Sequence, residues 1–158
     1  MSTKAATLAR AMGTKEDTAR KYLDILTGAF LIRQLPPWFE NLGKRQIKSP
    51  KVYLRDSGLL HALLGIETRQ ALLSRPQLGA SWEGFALEGV VTASRSRDAY
   101  FWATQSGAEL DLLLLSGGRR FGVEFKAGDA PELTKSMHIA LADLKLTSLQ
   151  VVYPGARR

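Results

Sequence analysis

The chain has 158 residues, a formal net charge of +7 and no cysteine, so disulfide bonds and thiolate metal sites are excluded. Its two histidines are too few for the usual zinc sites, and no apolar run approaches the roughly 18 residues that cross a bilayer. No signal peptide opens the sequence, so we expect a cytoplasmic protein without membrane contact.

The positive charge is concentrated in the first half of the chain. Residues 1–75 hold 13 basic and 6 acidic side chains, whereas residues 76–158 hold 9 of each. This asymmetry predicts two modules, 1–75 and 76–158, which meet in a connection that contains Pro76 and Gly79. The basic module is suited to a polyanion such as DNA. A solubilising surface or an acidic protein partner would explain the same charge, and composition leaves these readings open.

The first module begins with a helix-turn-helix pattern. "KAATLARAM" stops at Gly13, and "TKEDTARKYLDILTGAFLI" repeats apolar residues at helical spacing. Residues 30–56 then alternate apolar and polar side chains around Pro and Gly, which predicts the strands and loops of a wing. The residues that would contact DNA are the basic side chains of the second helix and the wing: Lys15, Arg20, Lys21, Lys44, Arg45, Lys48 and Lys51. The alternative is a winged helix that packs against another domain, because three acidic residues dilute the charge of that helix.

The second module reads as helix, three strands, helix and strand. The stretches are "SWEGFALEGVVTAS", "AYFWAT", "ELDLLLL", "RFGVEFKA", "PELTKSMHIALADLKL" and "LQVVYP". A helical crossover before the last strand favours a mixed sheet. The predicted fold class is therefore α/β (α+β), with a winged-helix-like module followed by an α-β-β-β-α-β domain.

Three charged residues stand in otherwise apolar strands of the second module. They are Asp111, Glu124 and Lys126, and a buried charge is costly unless something pairs with it. Side chains alternate between the two faces of a strand. Glu124 and Lys126 should therefore share a face, and Asp111 should share one with Glu109 and Leu113.

The turn between the second and third strands sets the distance between the two acids. If residues 116–119 form the turn, Leu115 pairs with Arg120, and Asp111 falls opposite Glu124. Their Cβ atoms would then lie about 4.5–5.5 Å apart. A slip of one residue would send the two carboxylates to opposite faces.

Two acids at this separation repel each other, and there are two ways to remove the conflict. A divalent cation such as Mg²⁺ takes carboxylate oxygens as ligands. Alternatively, Lys126 neutralises one carboxylate while the other takes up a proton, and a cross-strand pair between Glu109 and Lys126 adds to the neutralisation. Spacing leaves both readings open.

The charged residues also form a recognisable pattern. Asp111 followed by Glu124-Phe125-Lys126, in this order of elements, resembles the PD-(D/E)xK motif of restriction-endonuclease-like nucleases. Leu110 stands where the motif has proline. The resemblance implies a nuclease-like fold and metal-dependent cleavage of phosphodiester bonds.

The same resemblance implies roles for individual side chains. Asp111 and Glu124 would bind Mg²⁺ or Mn²⁺, and Lys126 would act beside them in catalysis. Many members of this superfamily add a glutamate from the helix before the first strand. Glu83 is the best match for that third metal ligand and Glu88 the second. They are five residues apart on one helix, about 140° around it, so both should not reach the metal.

A broader resemblance covers nearly the whole chain. Stretches such as "GAFLIRQLPPWFENLGKRQIKSPKVYLRDSGLLHALLGI", "YFWATQSGAELDLLL" and "VEFKAG" resemble the C-terminal region of prokaryotic AAA-family ATPases. That region joins a winged helix to a nuclease-like fold. The implied function is a DNA-binding, nuclease-like domain with an ATPase module as partner. The alternative is a non-catalytic domain that binds DNA or protein for such an ATPase. No GxxxxGK[ST] phosphate loop occurs in this chain, so no nucleotide is expected as a cofactor.

Overall fold

The computed structural model of the protein describes residues 5–41, 43, 45–128 and 132–155. These residues form six helices and two sheets, one of them mixed, so the predicted α/β class is confirmed. Within these ranges no helix is both long enough and apolar enough to cross a membrane.

The second half of the chain has the predicted order of helix, three strands, helix and strand, and a short helix that was not predicted lies in the connection before it. The helices are α1 (Ala5–Ala11), α2 (Glu16–Gly28), α3 (Ser57–Leu63), α4 (Arg69–Leu73), α5 (Leu78–Ser94) and α6 (Lys135–Asp143). The strands are β1 (Ile32–Leu35), β2 (Lys51–Leu54), β3 (Ala99–Ala103), β4 (Glu109–Ser116), β5 (Arg119–Phe125) and β6 (Ser148–Val152).

Strands β1 and β2 form an antiparallel ribbon after the first two helices, with Leu35 opposite Lys51. In its described residues, the connection between them meets the edge strand β3 at two places, where Pro37 bridges to Phe101 and Gln46 bridges to Thr104. The first half of the chain therefore covers one edge of the second sheet, which leaves that edge less open to pairing with other chains.

The second sheet has the strand order β3-β4-β5-β6, and only its β5–β6 pair is parallel. Helix α6 makes the crossover that a parallel pair requires. Leu115 lies opposite Arg120, as predicted. The turn between β4 and β5 consists of Gly117 and Gly118, whose φ angles of 56° and 72° are those of the tight hairpin turn that matches the twist of the strands. This turn fixes the register on which the site depends.

One irregularity lies beside the acid of β4. Asp111 and Leu112 together face Phe101 of β3, so β4 carries an extra residue at a bulge. Leu112 packs in the core on the α5 side, whereas Leu110 and Leu113 both pack on the α6 side. The expectation that Asp111 shares a face with Leu113 is therefore wrong. The bulge interrupts the alternation and directs Asp111 toward α5 and the ribbon.

The hydrophobic core lies on both faces of the second sheet. On one face, Leu35 and Tyr53 of the ribbon pack in one cluster with Leu87 of α5 and Phe101 of β3. On the other face, Trp102 packs against residues of α6. Residues from both predicted modules thus share one core cluster, and this packing holds the ribbon over the sheet.

Helix α6 is shorter than the sequence pattern predicted. It starts at Lys135, and the Thr134 hydroxyl accepts a hydrogen bond from the Met137 amide at 3.3 Å. A threonine in this position is a favoured start signal because it satisfies an amide that lacks a helical partner. Pro131, the first residue of the predicted helical stretch, lies outside the described residues.

Candidate functional site

The two predicted acids lie where β4 and β5 stop pairing through their backbones. The backbone pairing ends at Leu112 and Val123, and beyond it the side-chain carboxylates accept the hydrogen bonds between the two strands. The Phe125 amide donates to Oδ2 of Asp111 at 3.1 Å, and the Asp111 amide donates to Oε1 of Glu124 at 3.3 Å. The two carboxylates therefore converge in the gap between the diverging strands, and both side chains are buried.

Lys126 joins the acids on the solvent side. Its Nζ donates to Oε2 of Glu124 at 2.9 Å, and its side chain is 36% exposed. The sequence had offered Glu109 as its cross-strand partner. In the structure, Glu109 instead accepts a hydrogen bond from another lysine, Lys51, at 2.9 Å.

Lys51 is the feature of the site that the sequence did not reveal. It comes from the ribbon strand β2, and its Nζ lies 3.4 Å from Glu83, 2.9 Å from Glu109 and 3.3 Å from Asp111. Its side chain is 5% exposed, and its ammonium group also lies 5.5 Å from the centre of the Phe101 ring. The expectation that Lys51 contacts DNA phosphates is therefore wrong, because the ammonium group is buried among three carboxylates.

Helix α5 supplies one glutamate to this cluster and not the other. Glu83 accepts a hydrogen bond from the Tyr53 hydroxyl at 2.6 Å and faces Lys51. Glu88 lies elsewhere, bound to Arg33 at 2.7 Å and to Arg55 at 2.6 Å. Of the two candidates for the third acid, Glu83 is therefore the one beside Asp111, and Glu88 fastens the ribbon to the helix.

The electrostatics of the cluster follow from burial and from like charges at short range. Burial, together with the charge of Asp111, raises the pKa of Glu124 to about 7, against the opposing effect of Lys126. Burial alone would lower the pKa of Lys51, but the charges of Glu83, Asp111 and Glu109 raise it above its ordinary value. Lys51 is therefore charged, whereas Glu124 exchanges its proton near neutral pH.

The pKa of Glu88 shows the opposite balance. Burial alone would raise it, but hydrogen bonds from Arg33 and Arg55 lower it below the usual value. Glu88 is therefore ionised at neutral pH, and it forms charge-assisted hydrogen bonds with both arginines.

Among the described residues, the cluster meets solvent at Glu109 and Lys126, and this is called its open side. The side chains of Asp111 and Glu124 are 8% and 5% exposed, whereas those of Glu109 and Lys126 are 50% and 36% exposed. A ligand that approaches from this side would therefore meet Glu109 and Lys126 before the two buried acids.

Whether the cluster can hold a metal ion depends on the type of its ligand atoms and on their positions. Carboxylate oxygens suit Mg²⁺ and Mn²⁺, and the four acids of the cluster outnumber its two lysines. However, no three histidine, aspartate or glutamate side chains of the described ranges are arranged to hold a metal ion. The Lys51 ammonium group lies between Glu83 and Asp111 instead. The donors fit a divalent cation, whereas their present arrangement holds an ammonium ion.

The remaining residues predicted to bind DNA lie on the surface, with one outside the described part of the chain. Lys15, Arg20, Lys21, Arg45 and Lys48 are exposed, and Arg20 forms an ion pair with Glu16 of the same helix. Lys44 lies outside the described residues. The carbonyl of Arg45 accepts a hydrogen bond from the Gln105 amide at 2.8 Å, and residues 45–48 lead directly to Lys51. This part of the wing therefore borders the acid cluster.

The fold and the cluster together define an α+β domain with acids at the ends of two adjoining strands. The chain belongs to the family described as "Domain of unknown function (DUF4143)", whose model matches residues 78–158. A second model, "Domain of unknown function (DUF8612)", matches residues 2–70. No solved structure matches the chain.

Two mycobacterial proteins are similar to nearly the whole chain. They are the uncharacterized proteins Rv2008c of Mycobacterium tuberculosis and Mb2031c of Mycobacterium bovis, each 52% identical over 153 residues. The match covers 97% of this chain but 35% of each relative. The chain therefore spans about a third of the length of these relatives.

Replacing the buried lysine should destabilise the protein. In Lys51→Met the apolar stem is kept but Glu83, Glu109 and Asp111 lose their shared counterion. We expect the free energy of unfolding to fall by about 3–5 kcal/mol, as for other buried ion pairs that lose one partner. Urea denaturation measures the change, and Lys48→Met, which removes an exposed lysine of the same connection, should stay within about 0.5 kcal/mol of the wild type. Equal effects of the two variants would contradict the buried-counterion assignment.

The raised pKa of Glu124 predicts a pH dependence of stability. The folded pKa of about 7 lies above the ordinary value of 4.5, so between these values the folded state binds more protons than the unfolded state. The contribution of Glu124 to the free energy of unfolding therefore falls as pH rises from 4.5 to 7, by on the order of 2 kcal/mol. The Glu124→Gln variant should lack this component.

The measurement compares urea denaturation of wild type and Glu124→Gln at several pH values across this range. Glu67→Gln, which changes an exposed glutamate, serves as the matched control and should follow the wild type. Parallel curves for wild type and Glu124→Gln would show that Glu124 ionises normally.

Proposed function

We propose that this protein is a DNA-binding, nuclease-like domain in which Asp111, Glu124 and Lys126 form a metal-dependent phosphodiesterase site. The observation that supports the proposal is the convergence of the two carboxylates, each accepting an amide hydrogen bond from the other's strand, with the Lys126 ammonium group 2.9 Å from Glu124. Acids that only stabilise a fold rarely meet as a like-charged pair with one raised pKa, whereas catalytic sites use such pairs.

The residues divide the work of hydrolysis as follows. Asp111 and Glu124 would hold Mg²⁺ or Mn²⁺, with Glu83 as the third acid once it leaves Lys51. The bound metal supplies Lewis acidity toward the phosphodiester and lowers the pKa of a bound water. Lys126, on the open side, is placed to meet a phosphate oxygen and to stabilise the charge that develops there. The half-exposed Glu109 stands at the same opening.

DNA would reach the site along the basic part of the wing. Arg45 and Lys48 are exposed and belong to the segment that leads into Lys51, so phosphates bound there lie next to the acids. Lys15 and Lys21 of the winged-helix-like module offer further phosphate contacts. This placement supports DNA as the substrate because the sheet domain alone has no excess positive charge to hold a polyanion.

An AAA-family ATPase module is the proposed partner. The resemblance of the chain to the C-terminal region of such ATPases supports this, and the curated relatives are about three times as long as the matched region. In that setting the domain would act on, or hold, the DNA on which the ATPase works.

A non-catalytic interaction domain is the second candidate. The buried contact of Lys51 with Glu83, Glu109 and Asp111 favours it, because an internal ammonium group already neutralises acids that a metal would need. In this case the nuclease-like fold keeps its carboxylates for structure and contributes binding alone.

Cleavage with a matched pair of variants separates the two candidates. Supercoiled and linear DNA are incubated with the protein and Mn²⁺ or Mg²⁺, and products are resolved on gels. The proposed site predicts that Asp111→Asn lowers the cleavage rate by at least about 100-fold, because a metal ligand is lost. Asp98→Asn, which alters an exposed aspartate of the same domain, should cleave like the wild type. Absence of metal-dependent cleavage by the wild type, or equal rates for both variants, would favour the interaction domain.

Salt dependence tests the DNA path independently of cleavage. Removing two phosphate contacts with Arg45→Ala/Lys48→Ala should reduce the slope of log affinity against log salt by about 2. The control Arg97→Ala/Arg119→Ala removes two exposed arginines at the other end of the sheet and should leave the slope unchanged. Fluorescence anisotropy with a labelled duplex measures both. Identical slopes for the two double variants would place the DNA elsewhere.

A further inference from the structure

The acid cluster receives its internal cation from the ribbon and not from the sheet. Lys51 lies on β2, whereas the acids around it lie on α5 and β4, and the Lys51 and Asp111 positions are 60 residues apart in the chain. Lys126, which follows β5 of the sheet, forms its ion pair with Glu124 among the acids that the structure describes. The ammonium group of Lys51 therefore joins the two halves of the chain at the site.

The ribbon holds this ammonium group in place. Tyr53, two residues along β2 and hence on the same face, donates to Glu83 at 2.6 Å. Glu88 of α5 binds both Arg33 and Arg55, which fixes the two strands of the ribbon against the helix. Lys51 thus reaches the cluster from an anchored backbone, and small movements of the ribbon would move its Nζ.

Both carboxylate oxygens of Asp111 already accept hydrogen bonds. Oδ2 accepts the amide of Phe125 at 3.1 Å, and Oδ1 accepts Lys51 Nζ at 3.3 Å. Glu83 likewise has its Oε1 within reach of Lys51 and Tyr53. A cation that used both acids would occupy the place of the ammonium group, and two positive charges cannot share it at this separation.

We propose that Lys51 is the resident counterion of the acid cluster and that a divalent cation binds by displacing its ammonium group. The inference rests on the proposed metal site and adds that Lys51, which the ribbon holds in place, competes with the metal for Asp111 and Glu83.

Metal affinity in matched variants tests the displacement. Titration calorimetry with Mn²⁺ compares the wild type with Lys51→Met and with Lys145→Met, which removes an exposed lysine of the turn after α6. Loss of the competing charge should increase the Mn²⁺ affinity of Lys51→Met at least about tenfold, whereas Lys145→Met should bind Mn²⁺ like the wild type. Adding Asp111→Asn to Lys51→Met should abolish the gain, which shows that the metal uses the cluster.

Amine labelling tests the same displacement in the wild-type protein, whether or not Lys51→Met folds. Acetic anhydride modifies accessible lysines, and mass spectrometry measures the rate at each one. Lys51 should be labelled slowly without metal and at least about fivefold faster with saturating Mn²⁺, since its ammonium group leaves the buried cluster. Lys48 is exposed in either state and provides the internal reference.

The outcomes separate this inference from the function on which it rests. Mn²⁺ binding by the wild type with unchanged Lys51 labelling, and without a gain in Lys51→Met, would overturn the displacement and leave the metal site standing. No Mn²⁺ binding by either protein at millimolar concentrations would remove the metal site and the displacement together. If Lys51→Met does not fold, the labelling rates alone decide.

Discussion

The structure depends on how the buried charges between the ribbon and the sheet are paired. Asp111 and Glu124 are held inside an apolar sheet, which is costly unless each carboxylate is satisfied. Amides of the diverging strands satisfy part of each carboxylate, Lys126 satisfies the solvent side, and Lys51 satisfies the inner side. Removing Lys51 would leave the buried carboxylate of Asp111 without its counterion.

This pairing makes the site a property of both halves of the chain. Leu35 and Tyr53 of the ribbon pack in the same core cluster as Leu87 of α5, and Glu88 fastens the ribbon to that helix through two arginines. The acids of the sheet therefore work in an environment that the first half of the chain creates. A ribbon that serves only to contact DNA would not need a buried lysine directed into the neighbouring domain.

Sequence reasoning was accurate where the physical cause is local. Two adjacent glycines specify a tight hairpin turn, and that turn fixes the β4–β5 register and brings Asp111 next to Glu124. The prediction of the sheet face toward which the Asp111 side chain points was wrong. The bulge that redirects this side chain depends on how β4 pairs with β3, and the sequence of β4 alone does not indicate it. Sequence reasoning also began α6 too early, because the predicted stretch starts at Pro131, whereas the helix begins after the Thr134 cap.

By itself the sequence determined the order of the elements in the second half of the chain, the class of the fold and the approach of the two acids, because periodicity and turn chemistry act over a few residues. The tertiary structure alone decided that Glu83 and not Glu88 faces the acids, and that Lys51 lies inside the cluster instead of on the surface. Contacts between residues 30 to 60 positions apart depend on how the ribbon, α5 and the sheet pack together. No short window of sequence contains that information, and a lysine in a basic wing is indistinguishable by its neighbours from one that is buried.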